Sequence, residues 1–189
     1  DDGSVGFAAG THWLANPAGG GFLTSDAAGD FIINYTLERM DGYFTQEGSW
    51  NTPNLQIYLP QVQYTFFAMR ENASTTVLYL NSSDGKVLEF RVPYAYQGTG
   101  APLTVSFGYS SADHLLHVYL GGAHYTLEVS NAADSSYSWL YAENAKIPGF
   151  SCGAQAGILS DLSYVTTKAE VDATLSGWGT ATNISATAN

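Results

Sequence analysis

The sequence predicts an all-β chain folded as a two-sheet antiparallel β-sandwich of the jelly-roll kind, and three observations predict it. Apolar residues recur with period two in short runs bounded by Gly, Pro, Asn and Ser, while helical periodicity is almost absent. Aromatic residues make up 14% of the chain, with 13 tyrosines, against 12% charged residues, a balance that suits packed strands and not a disordered polymer. About ten to thirteen short strands in one chain need two stacked sheets to bury their apolar faces. The 189 residues suffice for one domain, and no shift in composition divides them. We place a single sandwich over residues 1–167 and treat 168–189 as a C-terminal tail or arm that can pack on it.

In "DFIINYTLE", Phe31, Ile33, Tyr35 and Leu37 fall on one face and Asn34, Thr36 and Glu38 on the other, with Ile32 the exception. "VQYTFFAMR" repeats the pattern with Val62, Tyr64, Phe66 and Ala68. In "TTVLYLNSSDGKVLEFRV", Asp84-Gly85 is the dipeptide best able to take the positive φ angles of a tight hairpin, so two strands meet there.

The stretch "LTVSFGYSSADHLLHVYLGGAHYTLEV", residues 103–129, folds into three strands. With Gly121-Gly122 as a two-residue turn, Leu120 pairs with Ala123, Val118 with Tyr125 and Leu116 with Leu127 on one apolar face. With Ser110-Ser111-Ala112-Asp113 as a four-residue loop, Leu103 pairs with Leu120, Val105 with Val118 and Phe107 with Leu116 on that same face. The opposite face then carries Thr104, Ser106 and Gly108, then Leu115, His117 and Tyr119, then His124, Thr126 and Glu128. A slip of one residue at either turn would mix the faces. Further on, "GAQAGILSDLSYVTT" alternates Ile158, Leu162 and Tyr164 as one or two strands. The tail has little apolar material beyond Val171, Leu175 and Trp178; it accommodates a short helix near Ala169 to Leu175, then a poorly ordered end or an extended arm.

Three segments carry a resemblance to a known group of folds. "GTHWL…GGGFLTSDAAGDFIINYTLERMDG", "PLTVSFGYSSADHLLHVYLGG" and "GAQAGILSDLSYV", about half the chain, are similar to strands of the concanavalin A-like lectin and glucanase sandwiches. The resemblance implies a curved two-sheet sandwich that binds or cleaves carbohydrate on its concave face. The carboxylate-rich metal segment of legume lectins and the Glu-x-Asp-x-x-Glu strand of many glucanases are both missing from this sequence.

A formal charge of −11 repels nucleic-acid backbones and anionic membrane surfaces, so nucleic acid is not an expected partner. No apolar run approaches the ~20 residues that span a bilayer. The opening "DDGSVGF" reads as a mature chain after removal of a secretion signal, placing the protein outside the cell or at its surface. Sequons at Asn34, Asn72, Asn81 and Asn183 fit an N-glycosylated protein, and Ser- and Thr-rich chains also generate them by chance. With one cysteine, Cys152, no internal disulfide framework exists; the thiol is buried or linked to another chain.

"GFSCG", residues 149–153, matches the nucleophile elbow at Ser151, but that motif needs a parallel sheet, a following helix and a downstream histidine. The histidines are His12, His114, His117 and His124, all upstream. Glycoside hydrolysis needs two carboxyl groups about 5 to 9.5 Å apart, and no predicted strand presents a pair at i and i+2. His117 and His124 lie diagonally across the hairpin, about 7 Å apart at Cα, without a third ligand for zinc. Asp26, Asp30, Asp84 and Asp113 sit in predicted turns without forming a recognisable calcium loop, so no cofactor is expected and calcium stands as an unsupported alternative.

Sugars are held by an aromatic ring under their C–H face and short polar side chains around their hydroxyl rim. Tyr119 with Ser106, His117, His124 and Thr126 supplies both, with room beside Gly108, although any exposed antiparallel face carries such residues. Trp50 and Trp139, in loop-like stretches, are further stacking candidates, as are Trp13, in a strand-like run assigned to the core, and Trp178. Three readings stand. The first is a secreted, non-catalytic carbohydrate-binding protein. The second is a structural or adhesive subunit that self-associates by strand exchange into an extracellular filament, sheath or surface layer. The third is a polysaccharide hydrolase or lyase whose acids converge only in three dimensions.

Overall fold

The computed structural model describes residues 5–7, 12–15, 23–24, 30–40, 54–58, 63–70, 72–82, 85, 87–95, 102–129, 146–152 and 157–186. Their strands are β1 (Val5–Phe7), β2 (His12–Ala15), β3 (Leu23–Thr24), β4 (Phe31–Met40), β5 (Asn54–Tyr58), β6 (Gln63–Arg70), β7 (Thr76–Ser82), β8 (Val87–Val92), β9 (Leu103–Ser110), β10 (Leu115–Leu120), β11 (Ala123–Val129), β12 (Lys146–Cys152), β13 (Gly157–Val165) and β14 (Thr182–Ala186), with one helix, α1 (Lys168–Gly177). One sheet runs β1-β13-β4-β9-β10-β11-β14, the other β2-β12-β5-β6-β7-β8 with β3 also on β12.

The sheets meet through their aromatic residues. Phe107 of β9 stacks on Phe66 of β6, ring centroids 4.2 Å apart, and Phe31 of β4 packs at 6.1 Å from Phe107. Around them Ile33, Tyr35, Leu103, Val105, Leu116, Val118 and Leu120 are buried, the face that alternation assigns to the core. Burial also pushes the Tyr35 phenol well above its ordinary pKa.

The Gly121-Gly122 hairpin has the expected register: Leu120 opposite Ala123, Val118 opposite Tyr125, Leu116 opposite Leu127. Both glycines have positive φ, 60° and 79°, as a tight I′ turn requires. The β9–β10 pairing differs from expectation by two residues, since Leu120 opposes Val105, Val118 opposes Phe107 and Leu116 opposes Tyr109. The loop is residues 111–114, one step later than expected. His114 takes φ 60° at its end, its N–H donates to Ser110 O at 2.9 Å, and Asp30, fully buried, accepts from both the backbone N–H and the hydroxyl of Ser111. An offset of two leaves every side chain on its face, so the faces are as expected although the partners are not.

The other face of the first sheet is not bare. α1 packs across β4 and β9, and its Val171 is fully buried, as is Ile32 on β4. Ile32 therefore interrupts the alternation of its strand because it serves a second, smaller core beneath the helix. Thr167 caps α1 by accepting from Glu170 N–H at 3.3 Å while its hydroxyl donates to the Glu170 carboxylate at 2.7 Å, a reciprocal pair at Thr-x-x-Glu spacing. Gly179, at φ 77°, ends the helix and redirects the chain into β14, which pairs parallel to β11. The segment after the helix is thus an edge strand through Ala186.

Candidate functional site

The outer face of the β9–β10–β11 meander gathers Ser106, His117, Tyr119, His124 and Thr126. Their strand positions are those expected, but four of them are buried: Ser106 is 6% exposed, His117 3%, His124 7% and Thr126 7%. Tyr119 is half-buried. The open sugar platform read from the sequence is therefore corrected to a largely covered face: Trp178 and Gly179 lie on it, and β14 extends the same sheet beyond β11. The indole of Trp178 stacks on Tyr119 with centroids 5.4 Å apart and meets His124 edge-on at 5.2 Å. The Thr126 hydroxyl donates to Asn183 Oδ1 at 3.1 Å, and the Asn183 amide donates to Glu128.

Under this cover runs a chain of polar contacts. His117 Nε2 lies 3.1 Å from the carboxylate of Asp113, His117 Nδ1 lies 2.9 Å from His124 Nε2, and His124 Nδ1 lies 2.9 Å from the carbonyl oxygen of Gly179. Because a carbonyl only accepts, His124 Nδ1 carries hydrogen. Burial pushes the His117 imidazole below its ordinary pKa; Asp113 beside it opposes that push, and His124 adds to it. Both rings are engaged by protein groups, and among the described residues no group of three or more His, Cys, Asp or Glu side chains is placed to share a metal ion. Of the aspartates weighed for calcium, Asp30 engages Ser111 and Asp113 engages His117.

Gly108 offers no space to a ligand either. A β-carbon there would lie 2.1 Å from Phe31 O and 2.7 Å from Ile32 Cγ1, so the glycine admits β4, not a sugar.

Among the described residues, an open hollow lies at the hairpin end, beside Tyr119. It has a volume of about 230 Å³ and is lined by Tyr94, Pro102, Thr104, Tyr119, Gly121 and Gly122. Tyr94 follows β8, where the chain leaves the second sheet; its N–H donates to Val92 O at 2.8 Å, and its carbonyl accepts from the Thr76 hydroxyl at 3.0 Å. Its ring lies directly on Gly121, where a β-carbon would come within 2.2 Å of it. Gly121 thus serves both the turn and the seat of Tyr94. Thr104, exposed at the rim, shares a hydroxyl contact of 3.1 Å with Thr36.

Tyr94 and Gly179 were not singled out in the sequence, Asp113 was weighed only for calcium and Asn183 only as a sequon, and only the three-dimensional path of the chain assembles them. Trp50 and Trp139 lie outside the described residues. Of the sequons, Asn34 donates to Ser163 Oγ at 3.2 Å, Asn72 accepts from Ser74 in the β6–β7 turn, Asn81 has a buried Oδ1 on β7, and Asn183 is held as above. Ser151 sits in an antiparallel ladder, opposite Trp13 of β2 and Asn54 of β5, which is not the strand-turn-helix of a nucleophile elbow. Cys152 ends the same strand.

No protein-family model and no curated protein matches the sequence. Among solved structures, a native heptameric SAP-like pentraxin from Limulus polyphemus aligns over 92% of this chain and 82% of its own, with TM-score 0.51 and 14% identity. The fold is that of the concanavalin A-like lectin and glucanase sandwiches. Sheep galectin-11 in complex with glycerol aligns over 84% of this chain and 98% of its own, with TM-score 0.38 and 7% identity. An alginate lyase from Alteromonas sp. 272 aligns over 87% of this chain and 88% of its own, with TM-score 0.40 and 9% identity. At 14% identity the likeness to the pentraxin is one of fold alone.

Proposed function

We propose that this protein is a non-catalytic, lectin-like carbohydrate-binding protein that takes a sugar in the hollow between Tyr94 and Tyr119. The hollow itself carries the reading. Two tyrosines supply aromatic surface and phenolic hydroxyls, Thr104 supplies a short polar side chain, and the Gly121-Gly122 turn presents backbone without side chains in the way. At about 230 Å³ it falls below the roughly 300–1,000 Å³ of drug-sized pockets, a size that favours a single sugar ring over a buried polymer. None of its described lining residues is acidic, which favours binding over glycosidic cleavage. The sequons and the low share of charged residues, 12%, fit work outside the cell among neutral glycans.

A glycan array should give at least one hit, and calorimetry on that glycan then separates the residues. Tyr94→Ala and Tyr119→Ala should each weaken binding by about 1 to 3 kcal/mol, the loss of one aromatic contact. Tyr164→Ala, at a tyrosine 52% exposed on β13, should bind as the parent does. An array without hits, or two hollow variants with unchanged affinity, would remove this reading.

A further inference from the structure

We infer that Asn72, alone among the four sequons, is the position at which the folded protein accepts an N-linked glycan. The biological use of that acceptor rests on the reading that the protein works outside the cell, because the sugar donor is met in a secretory compartment. The acceptor itself stands on geometry.

The chemistry asks for room at one atom. An oligosaccharide is transferred from a lipid-linked diphosphate: a bond forms between the asparagine Nδ2 and the anomeric carbon, and the bond from that carbon to the diphosphate oxygen breaks. The lipid diphosphate leaves, and Nδ2 gives up one of its two hydrogens as a proton to solvent. Transfer takes place on chain that has not yet folded, so the folded structure decides which modified chains become native. A glycan on a packed asparagine must either bury its hydroxyls without partners or hold neighbouring side chains apart, and both oppose folding.

Asn72 meets the demand. It opens "NAST" in the connection between β6 and β7, whereas the other three sequon asparagines lie within β4, β7 and β14. Its N–H donates to Thr75 O at 3.3 Å, and its Oδ1 accepts from the Ser74 N–H at 2.9 Å and from the Ser74 hydroxyl at 3.1 Å. The hydroxyl that completes the sequon thus already holds the amide oxygen, and Nδ2 sits on the other arm of the planar amide, away from Ser74. Ala73 and Ser74 are exposed, so the turn is the kind of surface loop that tolerates a bulky solubilising group.

The strand positions fail for separate reasons. Asn34 lies in a strand paired on both sides, opposite Ser163 and Ser106, and its amide donates to Ser163 Oγ at 3.2 Å. Ser106 is buried, as is Ile32, the next residue on the same face. Asn81 lies between Thr65 and Val87, its Oδ1 is buried, and Tyr79 beside it on that face is buried in a cluster with Val77 and Val87. A face that buries a tyrosine leaves no exit for an oligosaccharide. Asn183 is exposed, but both arms of its amide are in use: Oδ1 accepts from Thr126, and Nδ2 donates to Glu128, so a sugar on Nδ2 would lodge between the two side chains.

The full chain, secreted from cultured eukaryotic cells behind a supplied, cleavable signal sequence, tests this. Enzymatic release of N-glycans in heavy-oxygen water turns each glycosylated asparagine into labelled aspartate, which peptide mapping then locates. Label is expected at Asn72 in most chains and at none of Asn34, Asn81 and Asn183, with an intact mass one oligosaccharide above that of the polypeptide. Asn72→Gln and Ser74→Ala should each lose that whole increment, and Ser74→Thr, which restores the sequon, should keep it; all three substitutions fall in the turn and should leave the circular dichroism unchanged. An unlabelled Asn72 in the secreted, folded protein, or label at any of the other three, overturns the assignment. The supplied signal separates the two readings: protein from its native source that is bare at Asn72, beside a labelled secreted form, removes the extracellular reading and leaves the acceptor site standing.

Discussion

Phe107→Ala should destabilise the protein by about 3 to 5 kcal/mol and lower its melting midpoint by roughly 10 °C. The side chain is fully buried and stacks on Phe66 at 4.2 Å, so it ties the sheet that carries the hairpin to the sheet behind it. Truncation removes both the transfer free energy of a ring and its contacts with Phe66 and Phe31. The cavity left between two seven-stranded sheets cannot collapse without moving a strand of one of them. A solvent-facing control, Tyr164→Ala, should stay within about 0.5 kcal/mol. Chemical denaturation of both variants measures the difference, and a Phe107→Ala protein as stable as the control would show that the aromatic stack does not join the sheets. The effect on sugar binding should be small in the folded fraction, because Phe107 points away from the Tyr94–Tyr119 hollow.

Phe107 also marks what alternation can and cannot reveal. Its face was legible because a strand buried on one side has period two, and the same logic placed Leu116, Val118 and Leu120 with it. Its partner was not, because the loop at 111–114 closes one residue later than turn composition suggests, on a positive φ at His114 and a buried tether from Asp30. An offset of two is silent in any period-two pattern. Ile32 was visible as an anomaly without a cause, and the cause lies on α1, which packs across its strand. The cover over the polar face was illegible for a different reason. It is held by hydrogen bonds that His124 and Thr126 donate to Gly179 and Asn183 and by one indole, not by an apolar stripe, so hydrophobic patterning carried no sign of it. Thr167-x-x-Glu170 and Trp178-Gly179 did carry the helix start and stop, and they point to an ordered tail. The hollow depends on Tyr94, which lies against Gly121 although the two are far apart in the sheet order.

Gly108→Ala should cost about 3 kcal/mol, the upper end for an overpacked site, although it adds one methyl group beside Phe107 on the opposite face. The added carbon would lie 2.1 Å from Phe31 O, 2.7 Å from Ile32 Cγ1 and 2.9 Å from Ile32 Cα. Two of these atoms are backbone, on a strand held between β13 and β9, and Ile32 is itself fully buried. Relief therefore requires β4 to move away from β9, which strains the ladder from Phe31–Tyr109 to Leu37–Leu103 and the small core under Val171. The same substitution at Gly177 should have the opposite sign. It ends α1 without a positive φ and with nothing within 4 Å of the added carbon, so alanine there should stabilise by about 0.5 to 1 kcal/mol through helix propensity and a less flexible unfolded chain. Denaturation midpoints of the two variants should thus move apart from the parent in opposite directions. If Gly108→Ala is as stable as the parent, β4 does not press on β9, and the space above Gly108 becomes available to a ligand after all.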